Sequence, residues 1–321
     1  MLEERYREAY KKIKDAQNIL VVIHYHPDGD ALSSMGIVME LLESLNKKYT
    51  AYCRDNVPYQ YNFLPHVEKV ISDKENLNFG EFDLFVALDC GSLGRTGLVK
   101  EIGHRRKDQF AIEFDHHPRE ERYSEVEVRD PKASSTAEVL YQFLKINKVR
   151  FNKNYANCVL TGILTDTGNL LYESTSEKTI KITSEMLVYG AKYPMVLENT
   201  WRNKSLNSMR VWGKAMSNLK INAQYDFAYS FLTKDDMRDS EVTEEDLEGI
   251  PGFLSNLHGV KGLVFLRETD DGKIKGSLRT THPDVDISKL AQVLGGGGHK
   301  RASGFVVEGK FVEVEGKWRI V

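Results

Sequence analysis

Three apolar runs, each broken off by a polar cluster, constrain this chain more than anything else in it. ILVVIHY from Ile19 leads into HPDGD, DLFVALD from Asp83 into CGS, and QFAIEFD from Gln109 into HHPR. Runs this apolar, with little polar alternation, suit strands buried on both faces, the mark of a parallel sheet. After the first run, Met35, Val38, Met39 and Leu42 fall at i, i+3, i+4 and i+7, which predicts a helix whose apolar stripe covers the sheet. Strand, polar loop and helix make one βα unit of a doubly wound α/β fold. In such sheets the carboxyl ends of the strands form the ligand crevice, so the three polar clusters should converge there. A fourth cluster, TDTGN from Thr165, follows the apolar segment CVLTGIL and is expected at the same edge. DPKASSTAEVL carries Ser135 and Glu138 in the S-x-x-E spacing of a capping box, and reads simply as a helix start.

At 321 residues the chain exceeds one ordinary core and suits two, since domains typically hold about 100–200 residues. The first should run over 1–195. The stretch 196–220 reads as one connecting helix, with Met209, Trp212, Met216 and Leu219 as a packing stripe. Beyond it, 221–321 reads as a smaller α+β domain. AYSFLT, KGLVFLRE and KIKGSLRT look like strands, the last two joined by a hairpin at Asp271-Gly272. Ile287, Leu290, Ala291 and Leu294 mark a short helix that stops at Gly295, where GGGGHKRASGF begins.

Forty-four Lys and Arg against 47 Asp and Glu leave a formal net charge of −3, so no global positive field is available to hold a long polyanion. That argues against a duplex-DNA or membrane-surface protein and leaves room for a local basic patch. Cys53, Cys90 and Cys158 are odd in number and far apart, suggesting neither a disulfide framework nor a zinc knuckle, and hence a reducing cytoplasm. The N-terminus lacks the apolar core of a signal peptide, and no run reaches the length of a spanning helix.

Within HYHPDGD, Asp28 and Asp30 follow His24 by four and six residues, and Pro27 and Gly29 bend the chain so that an imidazole and two carboxylates can converge. Carboxylate oxygens with neutral imidazole nitrogens suit Mn²⁺, with Mg²⁺, Fe²⁺, Co²⁺ or Zn²⁺ as competitors. Asp89, Asp115, His116, His117 and Asp166 would add three carboxylates and two imidazoles. So many acids in one crevice repel unless cations neutralise them, and more than one divalent ion is the simplest remedy.

HPDGDAL, the strand end at Asp89, DHH at 115–117 and TDTGN resemble, in order, the four motifs of the DHH phosphoesterase superfamily. GGGGHKRASGF, preceded by GSLRT, resembles the signature of the DHH-associated C-terminal domain of RecJ-like nucleases, nanoRNases and alanyl-tRNA synthetases. Length and domain content most resemble the nanoRNase/pAp-phosphatase branch, whose members act on short oligonucleotides and on 3′-phosphoadenosine 5′-phosphate (pAp). The resemblance implies that His24, Asp28, Asp89 and Asp166 hold one metal ion and that Asp30, Asp89, His116 and Asp166 hold the other. His117 would lie just outside the metals, contacting phosphate or protonating the leaving group, and Asp115 would orient an imidazole. In the second domain, Gly297 and Gly298 would expose backbone amides to a phosphate that Arg301 clamps, with His299 and Arg279 as neighbours.

The function so implied is Mn²⁺-dependent hydrolysis of short single-stranded 5′-phosphorylated oligonucleotides and linear dinucleotides to mononucleotides, with pAp as a related substrate. Cyclic dinucleotide cleavage and a catalytically silent nucleotide-binding module are the alternatives. Relatives are often homodimers, although nothing in the residues demands one. Arg95 reads either as a phosphate contact or as a solvated loop residue, and His26 as a substrate contact or a backbone cap. His66, His104, His258 and His282 default to surface or cap roles.

Overall fold

The computed structural model describes residues 2–119, 121–238, 242–247, 249–315 and 317–321. The chain divides into two compact units, Met1–Asn203 and Lys204–Val321.

The first unit is built on a six-stranded sheet of order β3-β2-β1-β4-β5-β6: β1 (Asn18–Ile23), β2 (Lys48–Tyr52), β3 (Val70–Ile71), β4 (Leu84–Leu88), β5 (Phe110–Asp115) and β6 (Val126–Arg129). Every neighbouring pair is parallel. All six residues of β1 are buried, as its unbroken apolar run requires. Successive side chains serve opposite faces: Ile19, Val21 and Ile23 enter one core, Leu20 and Val22 the other. The larger core is covered by α1 (Leu2–Asp15), α2 (Gly29–Ser44), α4 (Thr136–Ile146) and α5 (Lys153–Asp166). The opposite face is closed by the short helix α3 (Val99–Gly103) and by turns carrying Phe82 and Leu93, a thinner cover than a fully doubly wound fold would give.

Strand order reverses between β1 and β4, the position at which open α/β sheets present a crevice at their carboxyl ends. The register pairs Ile23 with Leu88 and Leu88 with Phe114. His24, Asp89 and Asp115 therefore leave the three central strands at the same level.

The Met35–Leu42 pattern does form a helix, but α2 is buried on nearly every side because α4 and α5 pack over its far face. Its close approach to α5 depends on small residues. A Cβ on Gly29 would stand 2.5 Å from Thr165, and one on Gly162 would stand 2.6 Å from Asp30 Oδ1 and 2.5 Å from Ala137 Cβ. CVLTGIL lies inside α5, so TDTGN comes from the end of a helix and not from a sheet strand.

The stretch expected as one connecting helix is two. α6 (Glu177–Val188) is followed by α7 (Tyr193–Thr200), and after residues 201–205 by α8 (Leu206–Ser217), which belongs to the second unit. The expected packing stripe on α8 is also displaced. Ser208, Val211 and Ala215 are its buried residues, Trp212 is half-buried with Nε1 donating to the Asp246 carbonyl, and Met209 and Met216 are exposed. Helical spacing favours both faces equally here, and the partners that decide between them lie elsewhere in the chain.

In the second unit a six-stranded sheet runs β11-β12-β10-β9-β8-β7: β7 (Lys220–Asn222), β8 (Phe227–Leu232), β9 (Gly262–Glu268), β10 (Lys273–Arg279), β11 (Gly297–Gly298) and β12 (Ala302–Glu308). Only the β8–β9 pair is parallel, and β9 and β10 form the hairpin expected at Asp271-Gly272, where Gly272 has φ 79°. The short helices α9 (Lys234–Arg238), α10 (Glu244–Leu247) and α11 (Ile250–Leu254) lie between β8 and β9 in sequence. Leu263 and Phe265 of β9 join one core with Val211 and Leu254, while Leu278, Ile287, Ala291 and Phe305 form a second. α12 (Ile287–Val293) precedes β11, and β13 (Phe311–Val314) and β14 (Lys317–Ile320) form a separate antiparallel ribbon.

Candidate metal centre

At the end of β1, His24 is 2% exposed and its Nδ1 lies 2.8 Å from the Tyr25 carbonyl. That contact makes Nδ1 the donor to the carbonyl and turns Nε2 toward the neighbouring carboxylates. Nε2 is 3.7 Å from Asp28 Oδ2 and 3.7 Å from Asp89 Oδ2. Asp28 caps α2: its Oδ1 accepts from the amides of Asp30 and Ala31, so only Oδ2 faces the imidazole. The loop between is held by Tyr25 N donating to the Arg95 carbonyl and His26 N donating to Asp55.

Asp89 ends β4 with φ 59°, an unusual left-handed conformation for a residue with a side chain. Its two oxygens face different groups. Oδ2 looks toward His24, while Oδ1 is 3.7 Å from His116 Nε2, 3.5 Å from His117 Nδ1, and accepts from Thr136 Oγ1 at 2.8 Å. His116 Nε2 is also 3.4 Å from Oδ2 of Asp166, the last residue of α5. Asp30, in the first turn of α2, accepts from the amides of Thr136 and Ala137 at 2.6 and 3.0 Å.

The six expected ligands are thereby gathered into two groups. One donor atom from each of His24, Asp28 and Asp89 lies within 4.8 Å of the others, and the same holds for Asp30, His116 and Asp166. Two groups of oxygen and nitrogen donors, with Asp89 facing both, fit a pair of divalent ions. The electrostatics agree. Burial, followed by the negative charges of Asp89 and its neighbours, drives the Asp30 and Asp166 carboxyls well above the usual carboxylate range. Burial would lower the His24 imidazole, but Asp28 and Asp89 outweigh it and push it up to about 10. Four acids so close call for positive charge.

Asp115 brings a donor atom within 4.8 Å of ones from Asp89 and His117, but both of its oxygens are already hydrogen-bonded. Its Oδ1 accepts from both the amide and Nδ1 of His117 at 2.8 Å, and its Oδ2 accepts from Gly91 N at 2.6 Å. Arg129, unmarked in the sequence, completes this corner. Its side chain is 4% exposed, lies 3.3 Å from Asp115, pairs with Glu113 at 3.1 Å, and donates to the carbonyl of His117 at 2.7 Å. The sequence did hold a signal for it: β6 is a further parallel strand, and a charged residue at its carboxyl end belongs to the same edge. Thr136 carried no such signal, because the segment reads fully as a helix start. Ser135 does cap α4, but the Glu138 carboxylate does not return to it and binds Ser134 and Thr179 instead.

Arg95 is half-buried beside this centre, where its charge acts to lower His24 and Asp28. His26 is turned outward, with Nδ1 3.2 Å from Asp55. His66 departs from the expected surface or cap role: its side chain makes no cap bond, and its ring is largely buried and bonds Glu40 at 2.7 Å. All three cysteines are free and buried.

In the second unit the glycine segment differs from an open amide loop. Gly295 and Gly296 donate to the carbonyls of Gln292 and Ala291, Gly297 and Gly298 pair with Gly304 and Ser303, and His299 N donates to Ala302. Glycine is needed at Gly298 because a Cβ would stand 2.7 Å from the backbone of β12, while Gly297 has open space. Arg279 ends β10 opposite Ala302, and Thr280 N donates to the Arg301 carbonyl, so Arg279, His299 and Arg301 share one end of this sheet. No helix among the described residues is long and apolar enough to cross a membrane.

Comparison with known proteins adds to this geometry. A family model described as DHH family, N-terminal domain, matches residues 18–163, and one described as DHHA1 domain matches residues 224–315. The chain is 30% identical over 312 residues to the bifunctional oligoribonuclease and PAP phosphatase NrnA of Thermus thermophilus, covering 96% of this chain and 91% of that protein. It is 28% identical over 302 residues to the protein of the same name from Bacillus subtilis, covering 92% and 91%. Among solved structures, an exopolyphosphatase-related protein from Bacteroides fragilis matches with a TM-score of 0.84 and 26% identity, over 98% of this chain and 92% of that one.

Proposed function

Since the chain belongs to the DHH family and is a metal-dependent phosphoesterase, we propose that it hydrolyses short 5′-phosphorylated oligonucleotides and linear dinucleotides to mononucleotides, and pAp to AMP. The observation that carries this reading is the pair of donor groups, His24/Asp28/Asp89 and Asp30/His116/Asp166, with the two oxygens of Asp89 turned toward different groups. His24, Asp28, Asp89 and Asp166 would hold one ion, and Asp30, Asp89, His116 and Asp166 the other. Mn²⁺ is the ion we assign, with Mg²⁺, Co²⁺ or Fe²⁺ able to occupy the same donors. When bound, such a pair activates water for attack on phosphorus and neutralises the phosphate charge.

The chain's own groups supply the rest. His117 donates Nδ1–H to Asp115, which leaves Nε2 as the atom that contacts the phosphate or hands a proton to the leaving oxygen. Arg95 adds positive charge at the rim of the centre. Arg279, His299 and Arg301 recognise a substrate phosphate, with the open space at Gly297 and the Gly298 backbone allowing close approach.

A substrate panel tests this reading. Purified protein with Mn²⁺ should release nucleoside monophosphate from pApA, pGpG and short RNA, and phosphate from pAp, faster than it degrades cyclic di-AMP, polyphosphate or long RNA. Protein that leaves both pApA and pAp intact sinks the proposal. Asp89→Ala should abolish Mn²⁺-dependent turnover with the circular dichroism unchanged, and retained turnover would place the chemistry elsewhere.

A further inference from the structure

The start of α4 has more donors than a helix start needs. Ser135 already caps the helix, its Oγ accepting from Glu138 N at 3.1 Å. The amides of Thr136 and Ala137, which a helix leaves without internal partners, go to the two oxygens of Asp30. The Thr136 hydroxyl serves no helical bond. It is fully buried and donates to Asp89 Oδ1 at 2.8 Å. The turn is itself anchored on α6: the Glu138 carboxylate binds Ser134, Thr179 and Lys178 together.

We propose that Thr136 is a positioning residue for the metal pair, its hydroxyl setting the plane of the Asp89 carboxylate so that one oxygen faces His24 and the other His116. The torsion that turns a carboxylate about its own axis is broad, so Asp89 needs a directional bond to hold both oxygens to their tasks. Repulsion from Asp28, Asp30 and Asp166 acts against any single orientation. A neutral hydroxyl aims the carboxylate without cancelling its charge, which a lysine in the same place would do, and the full negative charge stays available to cations. Ligand-orienting partners of this kind typically govern metal affinity by about 10–100-fold when removed. The proposal rests on reading Asp30 and Asp89 as ligands.

Calorimetric titration of the metal-stripped full chain with Mn²⁺ tests it. Thr136→Val keeps the shape and removes the hydroxyl, and should weaken Mn²⁺ binding by about 10-fold or more. Thr136→Ser should restore it, and Ser135→Ala should lower the melting temperature while keeping wild-type Mn²⁺ affinity. Circular dichroism checks the fold of each variant, and Thr136→Ala carries the same comparison should the valine variant fail to fold. Thr136→Val binding as tightly as wild type, or Thr136→Ser binding as weakly as Thr136→Val, overturns the proposal and leaves the metal reading standing. Wild-type protein that bound no Mn²⁺ would overturn both.

Discussion

Asp89 illustrates what this chain invests in single residues. Its left-handed backbone, at φ 59°, costs on the order of 1–2 kcal/mol for a residue with a Cβ, and is held by the hydrogen bond that its N–H donates to the Phe114 carbonyl. The neighbouring acids make a similar investment in electrostatics. Because burial and repulsion keep Asp30 and Asp166 protonated well above the usual carboxylate range, the metal-free native chain retains protons that the unfolded chain has released. Its stability should therefore fall as pH rises from the ordinary carboxylate value toward their raised ones. His24 acts in the same sense at higher pH, its contribution complete below the ordinary histidine value and lost as pH passes about 10. The half-exposed Asp28 and the buried Asp115 are, despite desolvation, held below the usual range by His24 and His117 respectively, and lose their contribution only in acid. Divalent ions replace the retained protons, so the gain in melting temperature from Mn²⁺ over EDTA should grow from about pH 5 to about pH 8. An equal gain at both ends contradicts this assignment.

Among the elements, α2, α4 and α5 decide where the acids sit. Gly162 lets α5 approach Asp30 and Ala137 closely enough to bring Asp166 to the same place. Gly162→Ala puts a Cβ 2.5 Å from Ala137 Cβ and should cost about 1–3 kcal/mol in denaturant unfolding, with reduced turnover as α5 moves off. Gly213→Ala is the contrasting case. Gly213 lies inside α8 with nothing within 4 Å of an added Cβ, so the change should stabilise by about 0.5–1 kcal/mol. A neutral or favourable result at Gly162 would show that the helices have slack at this crossing. These elements were legible to different degrees. The strands β1, β4 and β5 and the helix α2 announce themselves because burial on both faces demands unbroken apolar runs. α8 was legible as a helix but not in its buried face, since Met209 and Val211 are equally acceptable to a helix and distant core residues such as Phe265 and Leu254 select the face that contains Val211.

For the whole molecule, the net charge of −3 and the two units belong together. A substrate of a few phosphates needs only a local group of donors, which under the proposed function Arg279, His299 and Arg301 would supply at one end of the second sheet. Arg301→Ala should raise KM for pApA by about 10-fold or more with a smaller change in kcat, as expected from losing charge-assisted bonds of about 1.5–3 kcal/mol. A KM equal to wild type removes this unit from substrate recognition. By itself the sequence determined the parallel sheet, the hairpin at Asp271-Gly272, and the residue types at each strand end, because those follow from periodicity and from neighbours a few positions apart. Only the tertiary structure decided that Asp89 turns its oxygens to different groups, that Arg129 secures the Asp115–His117 corner, and that Thr136 reaches Asp89 across 47 positions and Asp30 across 106. Contacts at such separations leave no local pattern, since a threonine that caps nothing and one that aims a carboxylate look the same until the chain has folded.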